Sequence, residues 1–226
     1  MARAGLCQDG EIQEKADVYL PAHFDLSADA CALDALIARD PFVTLISQHD
    51  GAPLVSHLPV LAAREADRLR LLGHWARPNP QWRSIVGQTV LAIVHGPHAY
   101  VSPRWYPAPR ASVPTWNYAA AHLYGSVRLV DEPGELGGLV AALAAHFEPT
   151  EAPWALADAE PSVQRMVAGI VGFELTVTRL ELKHKLNQNH PPARIQGAMA
   201  GLRAEGGAAG AEVAEMMAAA LAARQA

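Results

Sequence analysis

The spacing of apolar residues along the chain changes several times, and each change marks an element. Ala30, Leu33, Leu36 and Ile37 form an apolar stripe that predicts a helix over 28–39, with Ser27 as its N-cap. Pro41 stops it. The period then shortens to two. Residues 42–48 read as a strand, His49-Asp50-Gly51 as a turn, and 54–61 as the returning strand. A further strand over 68–75 places Leu69, Leu71 and Gly73 on one face, and Asn79-Pro80 predicts a helix start leading into 81–86. Segments 89–95 and 99–102 predict two strands, and the prolines at 103, 107, 109 and 114 predict a loop. Residues 116–130 make a long strand with a bulge or bend at Gly125. Helices are expected over 135–147 and 162–168, a strand over 171–182, and two helices over 192–203 and 211–224.

Six to seven strands, several joined as hairpins and without strict β-α-β alternation, predict a mainly β, α+β protein: an antiparallel barrel decorated with helices. Residues 1–17 read as a loose N-terminal arm, 18–204 as the barrel domain, and 205–226 as an alanine-rich helical tail expected to matter little to any site.

Composition narrows the function classes. Of 226 residues half are hydrophobic, enough for a real core. No apolar run approaches the roughly 18 residues of a membrane span, and the first residues lack the apolar region of a secretory signal. Cys7 and Cys31 make no disulfide framework, so a cytoplasmic protein without a membrane partner is expected. A net charge of −5 weighs against direct nucleic-acid binding. Among 18 basic residues only Lys15, Lys183 and Lys185 are lysines, so two of the three sit two positions apart. Such a pair is more often a solvated edge, but scarcity favours a site.

Sequences such as GxSxG, GxGxxG, HExxH and the P-loop are absent. What remains is a set of histidines in strand-like segments: His57, His74, His95, His98 and His122. One such histidine is more often a buried imidazole satisfied by backbone, but five together point to a site. His74 and Arg77 fall just before a helix start, where backbone donors favour an anion. The bland alternatives are that NPQW only caps a helix and that WNY only anchors a core.

Six segments in order carry a resemblance: VYLPAHF (18–24), SHLPV (56–60), GHWARPNPQW (73–82), HGPHAYVSPRWYP (95–107), VPTWNYAAAHLYG (113–125) and KHKLNQN (183–189). From about Val18 to Arg203 the chain resembles the PaiB family, known as FMN-binding negative transcriptional regulators. The resemblance implies a split β-barrel of the flavin-reductase and pyridoxamine-phosphate-oxidase type, and a homodimer with cofactor sites between subunits. It implies that His74, Arg77 and Asn79 lie by the flavin phosphate, that His57 faces the same cleft, and that Trp116 and Asn117 line the other side. Lys183, Lys185 and Gln188 match the family's lysines and glutamine, whereas Leu182, His184 and Asn187 stand where Gly, Trp and Ser are usual.

Some proteins resembling this family are haem-dependent piperazate synthases, which cyclise N5-hydroxy-L-ornithine by forming an N–N bond. On that reading haem b is the cofactor, His74 the axial ligand with His57 as the alternative, and both histidines are catalytic. Arg77, Lys183 and Lys185 then anchor propionates, and an amino-acid hydroxylamine is the substrate. The alternative is an FMN-binding regulator. A third reading is a dimeric scaffold without cofactor.

Overall fold

The computed structural model describes residues 19–65, 68–148 and 151–225. The expected N-terminal arm, Lys15 and Cys7 lie outside the described residues. Seven strands run β1 (Phe42–His49), β2 (Ala52–Pro59), β3 (Leu61–Glu65), β4 (Arg68–Ala76), β5 (Val90–Val101), β6 (Thr115–Val130) and β7 (Ile170–Lys185). They form one sheet in the order β2-β1-β5-β6-β7-β4-β3, antiparallel at every ladder. The two outermost strands, β2 and β3, follow each other in the chain across the buried Val60, so the sheet rolls into a barrel. At the seam β2 meets β4 closely: a side chain on Gly73 would stand 2.9 Å from the Pro59 carbonyl and 2.7 Å from the Phe173 ring. Only glycine lets the two backbones approach there.

The alternation read from β4 holds. Leu69, Leu71, Gly73 and Trp75 face inward and join Val43, Leu45, Val94, Leu123, Phe173 and Leu175 in the barrel core. Five helices surround it: α1 (Ala30–Arg39), α2 (Pro133–Phe147), α3 (Pro161–Arg165), α4 (Pro192–Glu205) and α5 (Gly207–Ala223).

Several sequence expectations change. The cap of α1 is Asp29, whose Oδ1 accepts from the Ala32 amide at 2.9 Å, so the helix starts two residues later than expected. Ser27 instead accepts from the Leu182 amide and ties this segment to β7. The short helix expected after Asn79-Pro80 is a single 3-10 turn, Gln81–Arg83. Residues 61–65, of which only Leu61 was expected in a strand, form the separate strand β3. The two strands expected at 89–95 and 99–102 are one strand, β5, with a register shift between His95 and His98. The expected irregularity at Gly125 is present as a shift against β7.

The alanine-rich C-terminal helix is no loose appendage. Val213, Ala214, Met217 and Leu221 of α5 are buried with Ile195, Ala198 and Leu202 of α4 and with Val101 and Tyr106, forming a second core. Alanine at most other positions lets the two helices lie close together.

Candidate functional site

Side chains pointing away from the barrel core on β2, β1, β5, β6 and β7 form rows across the sheet. In one row His57 stands opposite Thr44, Thr44 opposite Ile93, Ile93 opposite His122, and His122 opposite Glu181. In the next, His95 stands opposite Ala120 and Ala120 opposite Lys183. With strands about 4.8 Å apart, this face is about 19 Å across.

Thr44 organises one end of it. Its hydroxyl lies 3.1 Å from His57 Nδ1 and 3.0 Å from His95 Nε2. A hydroxyl has one proton to donate, so one of these imidazoles accepts it and the other donates to the oxygen. His57 is thereby held through Nδ1, leaving Nε2 free of that bond.

At the other end, the Lys183 ammonium donates to the Tyr19 carbonyl and lies 5.2 and 5.7 Å from the ring centroids of Tyr19 and Tyr118. Lys185 donates to Thr115 Oγ1 and to the Trp116 carbonyl. Burial, reinforced by the Lys183 charge, pushes the Lys185 pKa down. Between the two ends, burial lowers the His122 pKa against the opposing pull of Glu181, whose carboxylate is 3.8 Å from Nδ1. Large apolar side chains are exposed on the same strands: Phe42, Val55, Tyr100 and Trp116. Trp116 is 52% exposed, with the rings of His98 and Tyr100 at 6.2 and 6.0 Å.

The structure thus brings His57, Trp116, Lys183 and Lys185 onto one face. The other expected site residues are placed differently. His74 pairs in register with Gly172, a position overlaid by Leu136 and Leu139 of α2. Its buried Nδ1 has no hydrogen-bond partner among the described residues, and burial lowers its pKa. The hydrogen bond that fixes a metal-bound imidazole is missing at this nitrogen. Arg77 does not await an anion: it pairs with Asp131 and donates to the carbonyls of Ala168 and Ile170, 2.8 Å each.

Asn79 donates to Ser56 Oγ at 3.0 Å and accepts from the Gln81 amide. Asn117 is fully buried and donates to Met217 Sδ on α5, on the opposite side of β6 from Trp116. Gln188 turns back on its own loop, accepting from the Leu186 amide and donating to the His184 carbonyl.

Two important residues escaped the sequence reading. Thr44 lies between the core residues Val43 and Leu45, and only its alternation marks it as outward-facing. Gln81 is buried: its amide nitrogen donates to Leu45 O, Ser47 Oγ and Leu54 O, and its oxygen accepts from Trp75 Nε1 at 3.0 Å. The NPQW segment is therefore a structural lock, where its bland reading expected only a helix cap.

Comparison with known proteins agrees with this architecture. Residues 18–179 match a family described as "Putative FMN-binding domain". The chain is 30% identical over 202 residues to the protease synthase and sporulation protein PAI 2 of Bacillus subtilis, covering 88% of this chain and 96% of that one. Among solved structures, an FAD and haem binding protein from Mycobacterium smegmatis superposes with a TM-score of 0.56 at 21% identity, over 77% of this chain and 79% of that one. The flavocytochrome Anf3 from Azotobacter vinelandii superposes with a TM-score of 0.54 at 15% identity, over 69% and 67%. Seven antiparallel strands in a barrel and near-full-length identity to the Bacillus protein lead to one conclusion: the chain belongs to the PaiB family of FMN-binding-type split barrels.

Proposed function

We propose that this chain is a redox-cofactor-binding protein in which the outer face of β2, β1 and β5 would hold haem b, with His57 as an iron ligand. The observation that carries this reading is the Thr44 hydroxyl between His57 and His95. An iron ligand must present one imidazole nitrogen while the other is fixed by a hydrogen bond. His57 meets that requirement and His74 does not. The names of two structural relatives, one a haem and FAD binder and one a flavocytochrome, support the cofactor class.

The finer proposal is an enzyme that cyclises an amino-acid hydroxylamine such as N5-hydroxy-L-ornithine. The N–N bond forms as the N–O bond breaks, with release of water. When bound, the haem supplies a Lewis-acidic iron for the hydroxylamine. The chain's own residues do the rest. Lys183 and Lys185 put positive charge beside the face for carboxylates, and the His122–Glu181 couple is a base for the attacking ammonium. A second copy of the chain covering Phe42, Val55, Tyr100 and Trp116 would exclude water, so the working form is a homodimer.

The second reading, an FMN-binding regulator, is favoured by the family description. Against it, the charges within α5 are Glu212 and Glu215, unlike a DNA recognition helix. The absorption spectrum of the purified protein separates the two. A Soret band and conversion of N5-hydroxy-L-ornithine to a product lighter by one water support the haem enzyme. Flavin bands with no conversion refute it.

A further inference from the structure

On the opposite side of β7 from the lysine pair, a cavity of about 640 Å³ opens between α1, the end of β7 and α5. Leu26, Ala32, Met216, Ala219 and Ala220 make most of its wall apolar. His184 lies between Lys183 and Lys185 in the strand, so its side chain points to the other face from theirs. It lines this cavity and is only 8% exposed. Its Nε2 is buried with no hydrogen-bond partner among the described residues. A buried polar atom in that state costs stability unless something completes it.

We infer that this cavity is a second small-molecule site, separate from the candidate cofactor face, and that it takes a small carboxylic acid with a compact apolar body. The walls bury the body, and His184 Nε2 donates to the head group. Arg224, at the same cavity, supplies a guanidinium that so far gives one hydrogen bond, to the His190 carbonyl at 3.3 Å. His23 stands beside it as a further imidazole.

Among the described residues the one carboxylate lining the cavity is Asp29, which is occupied at the start of α1, accepting from the Ala32 amide, so it faces a helix N-terminus that offsets its charge. Gln188, bonded at both ends of its amide, ties the turn after β7 back to the His184 carbonyl. Burial pushes the His184 pKa down, with Asp29 pulling the other way. A carboxylate arriving at Nε2 favours the charged form, so binding takes up a proton.

Calorimetric titration of the full chain with sodium octanoate tests this, with octylamine and 1-octanol as matched controls. Octanoate is expected to bind, at least about threefold more tightly near pH 6 than near pH 8, with proton uptake. His184→Leu should weaken it about tenfold or more, as expected for loss of a charge-assisted hydrogen bond. Ala219→Phe, which fills the cavity from an exposed position on α5, should weaken it similarly while leaving the melting transition in place. Absence of octanoate binding, equal binding of the amine or alcohol, or octanoate binding unchanged in both variants would overturn the assignment.

Discussion

His57 Nδ1 lies 3.1 Å from the hydroxyl of Thr44, on the neighbouring strand. This contact spans the β1–β2 ladder at a directly opposed pair, so register sets the two side chains face to face. It is a rigid mount for an imidazole whose other nitrogen is left to a ligand.

Thr44→Val keeps the β-branched shape and removes the hydroxyl. Outer-shell partners of metal-bound histidines are typically worth about 10–100-fold in affinity. Haem affinity is therefore expected to fall by about tenfold, with a shifted Soret band, while the far-ultraviolet circular dichroism stays the same. Titration of haem into the two proteins, followed by absorbance, measures it.

Gln81→Ala removes the two N–H donors shared by Leu45 O, Ser47 Oγ and Leu54 O and leaves buried Trp75 Nε1 without its acceptor. Orphaned buried groups cost roughly 1–3 kcal/mol each, so a loss of about 2–4 kcal/mol is expected after partial relaxation. Urea denaturation at constant m-value reads this directly.

Arg77→Ala should leave the spectrum of the haem-loaded protein unaltered, because the guanidinium is engaged by Asp131 and two carbonyls away from His57. A large loss of haem in this variant would restore Arg77 to the cofactor site.

Acid should destabilise the fold through its buried imidazoles. Burial lowers the pKa of His74 and of His184 in the folded chain. Near pH 6 the unfolded chain therefore binds more protons. The stability these groups contribute is present above their unfolded value of about 6.5 and is lost as pH falls through the folded values. His74→Gln should flatten the fall in urea midpoint between about pH 7 and pH 5.

Ending the chain after Arg203 should abolish cooperative unfolding, although the tail was expected to matter little to any site. Buried Val213, Met217 and Leu221 of α5 would go, and at about 1.5–3 kcal/mol for each of these large apolar side chains the second core would not survive. Calorimetry of the truncated chain checks this.

The strands were legible because their alternation is strong: β4 shows its inward face in Leu69, Leu71 and Gly73 without help. Helix α5 was harder to read because its apolar side chains are few and alanine supplies close packing instead of a visible stripe. For the site, residue type singled out His57, Lys183 and Lys185, which the strand register sets on one face. His74, Asn117 and Gln188 lie away from that face, with partners on other elements or within a turn. Sequence alone also could not tell that Arg77 already had a carboxylate, since Asp131 is 54 residues away. Thr44 was invisible for a related reason: a threonine in a strand is ordinary until the register sets it between two histidines.

The central claim is that His57, not His74, holds the iron. Its most direct test is the absorption spectrum of His57→Ala and His74→Ala, each loaded with haem beside the wild type. The account predicts that His57→Ala loses the wild-type Soret band and most of its haem, while His74→Ala keeps both. A wild-type Soret band in His57→Ala, or its loss only in His74→Ala, would contradict it.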